Sequence, residues 1–237
     1  MHKKLFNSLL LGALILGGSS AAFVCLPLAG ASAPADTVKW EPEIQAFERS
    51  DKTNPPPPNA VLFIGSSSIR MWTNVARDFP DHQVINRGFG GSQISDSVAF
   101  AERIVLPYRP RMIVLYAGGN DINAGKMPAE VFGDFQNFVK KVHAKLPATR
   151  IAYISSAPNP VRWAQVEKIR ELNRLVQNFA KEDSRLAFID VFSKMLGDDG
   201  RPRPEIFLED RLHMNARGYR LWTESVQPFL TPASSAK

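Results

Sequence analysis

Five short apolar runs occur along the chain, and each is followed within two residues by glycine or a polar side chain. Their β-branched and aromatic content predicts buried strands over residues 61–64, 84–85, 112–116, 151–154 and 186–189. Longer segments with helical periodicity cover 69–79, 128–146, 163–181 and 216–226. Strands that alternate with helices are typical of a doubly wound parallel sheet, so the fold class is α/β.

The first 35 residues have the pattern of a secretory signal peptide. Two lysines open the segment, no charged residue occurs over 5–35, and small residues gather at 29–35. Ala31–Ala33 fits an Ala-x-Ala cleavage site, although cleavage after Ala31 or Ala35 stays open. We expect a periplasmic or secreted protein. An uncleaved membrane anchor is the alternative, because the uncharged run is long enough to span a bilayer.

Residues 36–59 precede the main domain and combine a helix with a connector. The spacing of Trp40, Ile44 and Phe47 predicts an amphipathic helix over 38–49. Four consecutive prolines make residues 51–59 an extended, exposed connector. The main domain is expected over 60–230, with a short tail over 231–237.

Composition excludes several classes of protein. With 237 residues, 44% hydrophobic and 22% charged, the chain can form one sizeable core. The net charge of +6 is spread among acidic residues rather than massed in runs, so we expect no nucleic-acid partner. Cys25 is the single cysteine, which excludes an intramolecular disulfide, and no Cys/His cluster has zinc spacing.

Polar segments follow three of the predicted strands. Gly65 and three serines at 66–68 follow the first strand, a glycine-rich turn over 86–92 follows the second, and Asn120 lies just after the third. The carboxyl ends of parallel strands gather at one edge of a sheet, where ligands bind in open α/β folds. The sequence therefore predicts a functional site at this edge.

A fourth polar segment contains one of the four histidines. Asp210 precedes His213 by three residues, so its carboxylate can reach the imidazole and fix the tautomer. Such an imidazole can take a proton from a serine hydroxyl. By contrast, His82 beside Asp81 is expected at the amino edge of the sheet, and His143 is expected to be a solvated surface residue.

These four segments, in this order, resemble the blocks of the SGNH hydrolases, also called GDSL-type esterases and lipases. The correspondences are residues 65–67 with Gly-Asp-Ser, 86–91 with the second block, 118–121 with Gly-x-Asn-Asp and 210–213 with Asp-x-x-His. Ser66 stands where the family has aspartate, so the choice among the three serines depends on the alignment. Trp72, where related sequences often have an aromatic residue, favours Ser67. The Gly-x-Ser-x-Gly elbow of ordinary α/β-hydrolases is excluded, because position 69 is isoleucine.

The resemblance implies a fold and a mechanism. The fold is a flavodoxin-like, three-layer α/β/α sandwich with a five-stranded parallel sheet. Ser67 is the implied nucleophile, with His213 as base and Asp210 as its orienting carboxylate. The N–H groups of Ser67 and Gly91 and the side-chain amide of Asn120 form the implied oxyanion hole. The implied reaction is hydrolysis of carboxylic esters or thioesters through an acyl-enzyme, with no metal or cofactor.

The substrate class stays open between small-molecule, glycan and lipid esters. A carbohydrate-ester deacetylase acting on acetylated polysaccharide is one alternative, since Arg162 and Trp163 suit a sugar platform, although packing at a helix start explains them equally. A non-catalytic binding module is another alternative. Acyl-chain preference is expected to depend on the loops over 91–97, 123–128 and 155–162. No stable membrane insertion is expected once the signal is removed.

Overall fold

The computed structural model describes residues 37–230 of the 237-residue chain. The predicted signal segment and the tail at 231–237 lie outside the described residues, so both remain predictions. None of the helices over 37–230 combines the length and apolar content needed to cross a bilayer.

A five-stranded, all-parallel sheet forms the centre of the main domain. The strands are β1 (Val61–Gly65), β2 (Val84–Gly88), β3 (Met112–Tyr116), β4 (Arg150–Ile154) and β5 (Leu186–Ile189). Their order in the sheet is β2-β1-β3-β4-β5. This is the flavodoxin-like order, and it confirms the predicted fold class.

Eight α-helices cover the sheet and connect its strands in the described chain: α1 (Thr37–Thr53), α2 (Ser67–Arg70), α3 (Val75–Asp78), α4 (Ile94–Ile104), α5 (Gly119–Asn123), α6 (Pro128–Lys145), α7 (Val166–Ala180) and α8 (Ala216–Leu230). Side chains alternate along a strand. In β1, Leu62 and Ile64 therefore belong to the buried cluster that also holds residues of α1, α4, α6 and α7, whereas Val61 and Phe63 belong to the cluster with residues of α2, α3 and α8. Two apolar layers thus enclose the sheet.

The segment over 69–79 differs from the single helix predicted for it. It contains the two short helices α2 and α3, with a break around Trp72. The amide of Asn86 donates to the carbonyls of Ile69 (2.8 Å) and Trp72 (3.3 Å). The Trp72 indole donates to Asp78 at 2.6 Å and packs edge-on against Phe63. These tertiary contacts replace the backbone hydrogen bonds of a continuous helix.

Several other boundaries also shift. β2 continues to Gly88, so residues 86–88 are strand rather than turn, and α4 begins at Ile94, inside the loop expected over 91–97. α7 begins at Val166 after a short 3₁₀ turn over 163–165, and α8 extends to Leu230. Helix α1 extends through Thr53, which shortens the exposed connector to residues 54–59.

Candidate active site

A sharp turn between β1 and α2 positions Ser67. Gly65 has φ of +139°, and a Cβ atom there would lie 1.8 Å from the carbonyl oxygen of Tyr116 on β3. Only glycine avoids that collision. The amide of Ser66 then donates to the same carbonyl at 3.0 Å. Ser67 consequently opens α2 at the carboxyl edge of the sheet, half-buried, with its hydroxyl beside a cleft.

Asp210 and His213 form a closed turn before α8. Asp210 Oδ2 lies 2.6 Å from His213 Nδ1, and Asp210 Oδ1 accepts the amides of Leu212 (3.0 Å) and His213 (2.9 Å). The hydrogen bond from His213 is the main cause that lowers the pKa of Asp210 to about 2, with the two amides assisting. The carboxylate is therefore ionised at neutral pH, which assigns the ring proton to Nδ1 and leaves Nε2 as an acceptor.

The structure brings this imidazole to Ser67. His213 Nε2 lies 2.9 Å from Ser67 Oγ across 146 positions of the chain. Ser66, in contrast, is buried, and the backbone carbonyl of Ser68 accepts the hydroxyl of Tyr219 at 2.9 Å. Among the three adjacent serines, Ser67 is thus the one whose hydroxyl meets the imidazole.

Asn120, the second residue of α5, has its side chain held at both ends. Its Nδ2 donates to the carbonyl of Ser92 at 3.0 Å, and its Oδ1 accepts Arg162 Nη1 at 2.9 Å. The same nitrogen of Arg162 also donates to the carbonyl of Gly119 at 3.3 Å. A guanidinium can only donate, so it identifies which end of the amide is oxygen. The second Nδ2 proton remains available for another acceptor.

Gly91 lies exposed in the loop after β2, with φ of +79°. Within the described chain, neither its amide nor that of Ser67 donates to a protein acceptor. Buried Asp121 links this loop to the Asn120 segment, because its Oδ1 accepts the amide of Ile94 at 3.0 Å. Burial raises the pKa of Asp121 to about 6, against the opposing effects of that amide and of Lys126.

A cleft lies beside these groups, and Ser67, Asn120 and His213 line its polar side. Much of the remaining wall is apolar and includes Tyr116, Val166, Ile169, Met195, Phe207 and Trp222. The arrangement can deprotonate a hydroxyl beside a binding space for an apolar group.

The other described histidines lie elsewhere. His82 precedes β2 at the amino edge of the sheet, as predicted, but its Nδ1 lies 3.1 Å from Arg111 Nη2, and it does not pair with Asp81. The prediction of a solvated His143 is wrong. That side chain is half-buried, and its Nε2 lies 3.0 Å from the carbonyl of Thr149, in the loop between α6 and β4.

Metal ligands do not cluster in the described part of the chain. Among residues 37–230, no three His, Cys, Asp or Glu side chains come together in a way that could hold a metal ion.

Sequence reasoning missed two contacts of the site. It considered Arg162 only as a sugar platform or as packing, and not as the partner of Asn120, which is 42 positions away. It also found no link between Trp40 and the glycine-rich loop. No spacing signal connects either pair, since both arise from packing between separate elements.

The fold is that of the SGNH class of hydrolases. The model of the GDSL-like lipase/acylhydrolase family matches residues 65–221, well over half of the chain. The chain belongs to this family. No curated protein matches the sequence.

Solved structures share the fold at low sequence identity. A protein from Streptococcus pneumonia has a TM-score of 0.72 and 24% identity, over 82% of this chain and 94% of that one. A GDSL-like lipase from Bacteroides thetaiotaomicron has a TM-score of 0.69 and 19% identity, over 78% and 96%. An acetyl xylan esterase has a TM-score of 0.62 and 19% identity, over 72% and 99%.

Proposed function

We propose that this protein is a serine ester hydrolase that cleaves carboxylic esters or thioesters through an acyl-enzyme on Ser67. The observation that carries the proposal is the unbroken chain of contacts from Asp210 to His213 to Ser67, at 2.6 and 2.9 Å, beside a cleft. Membership of a lipase and acylhydrolase family supports the same chemistry.

In the first half of the reaction, Nε2 of His213 takes the proton of Ser67 Oγ as that oxygen attacks the carbonyl carbon of the ester. The ionised Asp210 stabilises the imidazolium that forms. The amides of Ser67 and Gly91 and Nδ2 of Asn120 donate to the oxyanion. The imidazolium then protonates the leaving oxygen or sulfur, and the alcohol or thiol departs.

In the second half, the same imidazole takes a proton from water, whose oxygen attacks the acyl carbon on Ser67. A second tetrahedral oxyanion forms beside the same three donors. Its collapse returns the proton to Ser67 Oγ and releases the carboxylic acid. His213 therefore ends the cycle in its starting protonation state, and Asp210 stays ionised throughout.

Replacement of Ser67 tests this proposal. Ser67→Ala is expected to reduce kcat on p-nitrophenyl butyrate by about 10⁴-fold or more, because losing the nucleophile disables the whole relay. Ser184→Ala, on an exposed residue before β5, is the matched control and retains activity. A phosphonate probe should label the wild type and not Ser67→Ala. Full activity of a folded Ser67→Ala variant contradicts the proposal, and failure to label the wild type favours a non-catalytic binding module.

A second candidate is the deacetylation of a carbohydrate ester. Gln165 lines the cleft, and its Oε1 is buried without a hydrogen-bond partner. Arg162 lines the same cleft, and its Nε and Nη2 have no partner among the described residues. A sugar hydroxyl could donate to Gln165 and accept from Arg162, which satisfies both groups.

The two candidates differ in how they respond to Gln165→Leu. A deacetylase should lose kcat/KM on acetylated xylooligosaccharides and keep it on p-nitrophenyl acetate, because only the sugar needs the amide oxygen. If Gln165→Leu leaves kcat/KM unchanged on both substrates, the simple esterase is the better description.

Export remains part of the proposal and rests on the composition of residues 1–35. N-terminal sequencing of protein recovered from periplasm or medium should give a chain that begins after Ala31, Ala33 or Ala35. An intact N-terminus in the membrane fraction supports the anchor instead.

A further inference from the structure

Helix α1 lies outside the residues that the family model matches. It packs beside the glycine-rich loop over 89–93, which connects β2 to α4. Trp40 is 5% exposed, and its ring meets Phe89 edge to face at 5.7 Å. Such edge-to-face aromatic pairs are stabilising beyond the area they bury. The indole is therefore a fixed part of the wall under this loop.

The same indole lies against Gly91. A Cβ atom on Gly91 would lie 3.3 Å from Trp40 Cη2, so the ring reaches the backbone of this residue. Gly91 itself is exposed, and no hydrogen bond from its amide to the described protein restrains it. Contact with the indole is thus one restraint on its position, beside the hydrogen bond from Asn120 to the carbonyl of the adjacent Ser92.

The carboxyl end of α1 holds the other end of the loop. Asp51 forms a salt bridge with Arg87, the residue before the last one of β2, and accepts the hydroxyl of Tyr108 at 2.6 Å. The guanidinium of Arg87 also lies over the ring of Phe47 at 5.0 Å. One helix therefore contacts the chain both just before and within the loop.

Helix α1 is in turn fastened to α4, the helix that follows the loop. Arg103 on α4 forms ion pairs with Glu41 and Glu48, each at 2.7 Å. Glu41 and Glu48 are seven positions apart, so they lie on the same side of α1. The two elements that flank the loop, β2 and α4, are consequently both held by α1.

We propose that α1 is a positioning element for the oxyanion hole and that Trp40 sets the location of the Gly91 amide. The inference rests on the proposed function. Oxyanion donors act at about 2.7–3.1 Å from the charge, and a preorganised donor avoids reorganisation during the reaction. A donor that drifts loses its effect on the transition state while ground-state binding stays nearly the same. Trp40 is a positioning residue and does not itself touch substrate in this proposal.

Variants in α1 separate positioning from stability. Trp40→Ala is expected to lower kcat on p-nitrophenyl butyrate by about 10- to 100-fold, with KM within about threefold, because a loosened donor affects mainly the transition state. Trp40→Phe should restore most of kcat. The matched control is Val142→Ala, on a fully buried residue near the carboxyl end of α6, which should lower the melting temperature and leave kcat within about twofold.

Inhibition by a boronic acid tests the oxyanion hole directly. A boronic acid forms a tetrahedral adduct with the serine, so its inhibition constant should rise in Trp40→Ala in parallel with the loss of kcat/KM. If Trp40→Ala does not fold, the same measurements on Trp40→Phe and on Asp51→Asn, which loosens the other end of α1, decide the question. A partial rise of the inhibition constant in both supports the proposal.

The inference is overturned if Trp40→Ala, or the two substitutes for it, lower the melting temperature as Val142→Ala does and leave kcat and boronate affinity at wild-type values. Helix α1 would then only stabilise the fold. Failure of the proposed function is distinguishable, because in that case Ser67→Ala keeps its activity, whereas failure of the inference alone leaves Ser67→Ala inactive.

Discussion

Asn120 offers the most direct test of the proposed oxyanion hole. Its amide is held by Ser92 and Arg162 in the orientation that leaves one Nδ2 proton for a substrate oxyanion. Asn120→Ala removes that donor. Loss of one such donor typically costs about 3 kcal/mol in the transition state, and about 1.4 kcal/mol corresponds to tenfold in rate. We therefore expect kcat to fall by about 10²-fold.

The same substitution also removes two structural hydrogen bonds. Each contributes about 1 kcal/mol to the free energy of unfolding, so the expected loss of stability is about 2 kcal/mol. A domain with native stability of about 5–15 kcal/mol tolerates that loss. The activity loss should therefore exceed what any unfolded fraction at 25 °C explains.

Asn120→Asp provides the informative contrast. Its retained oxygen can still accept from Arg162, whereas the second oxygen replaces the Nδ2 donor and faces the carbonyl of Ser92. An anion at this point repels the developing oxyanion. We expect kcat to fall further than in Asn120→Ala, although aspartate is closer in shape.

The assay is kcat and KM on p-nitrophenyl butyrate at neutral pH, with a thermal melt of each variant. A folded Asn120→Ala enzyme with kcat within threefold of wild type refutes the assignment of Asn120 to the oxyanion hole. So does an Asn120→Asp enzyme that is more active than Asn120→Ala.

Three further predictions follow from the described contacts. Asp210→Asn should lower kcat by about 10²–10⁴-fold with little change in KM, because the imidazolium of His213 loses its counter-charge; unchanged kcat would show that the carboxylate is dispensable. The pKa of Asp121 is raised from 3.8 to about 6, so the folded state binds this proton more tightly than the unfolded state. The contribution of protonated Asp121 to the free energy of unfolding is complete below pH 4. It is lost as pH rises through 6, which lowers the free energy of unfolding by about 3 kcal/mol. Urea titrations at pH 4 and 7 should show this loss in wild type relative to Asp121→Asn, and parallel curves for the two proteins contradict it. Gly65→Ala should abolish folding, since the new methyl group collides with backbone at a positive φ, whereas Gly133→Ala, in open space within α6, should be neutral or stabilising by up to about 1 kcal/mol.

The strands and the polar segments at their ends were predictable because their signals are local. β3 and β5 have the predicted bounds. β3 is a central parallel strand that reads as an uninterrupted apolar run, and β5, at the edge of the sheet, is a short apolar run bounded by Arg185 and Asp190. The first strand was predicted over 61–64 with Gly65 just after it. In the structure, Gly65 is the last residue of β1, and its conformation makes the turn possible. The membership of the family was predicted from four short blocks and is confirmed.

The errors share one physical origin. The periodicity over 69–79 indicates a helix. The helix is interrupted because the side-chain amide of Asn86, on β2, donates to the carbonyls of Ile69 and Trp72. His143 lies among lysines in sequence, yet its ring contacts the backbone carbonyl of Thr149 in the next loop. Helix α1 runs beyond its predicted end, where Asp51 pairs with Arg87 and Tyr108. In each case a contact outside the local helical pattern determined the outcome. The partner is six positions away for His143 and distant in sequence in the other two cases.

Local sequence specified the α/β fold, the edge of the sheet that carries the site and the residue types at that edge, because burial and turn geometry act on a few consecutive residues. Packing of distant segments specified which of three serines meets His213, how Arg162 orients Asn120 and where Trp40 lies beneath Gly91. Those distances depend on how whole elements pack across the sheet, and no pattern within a single segment encodes them.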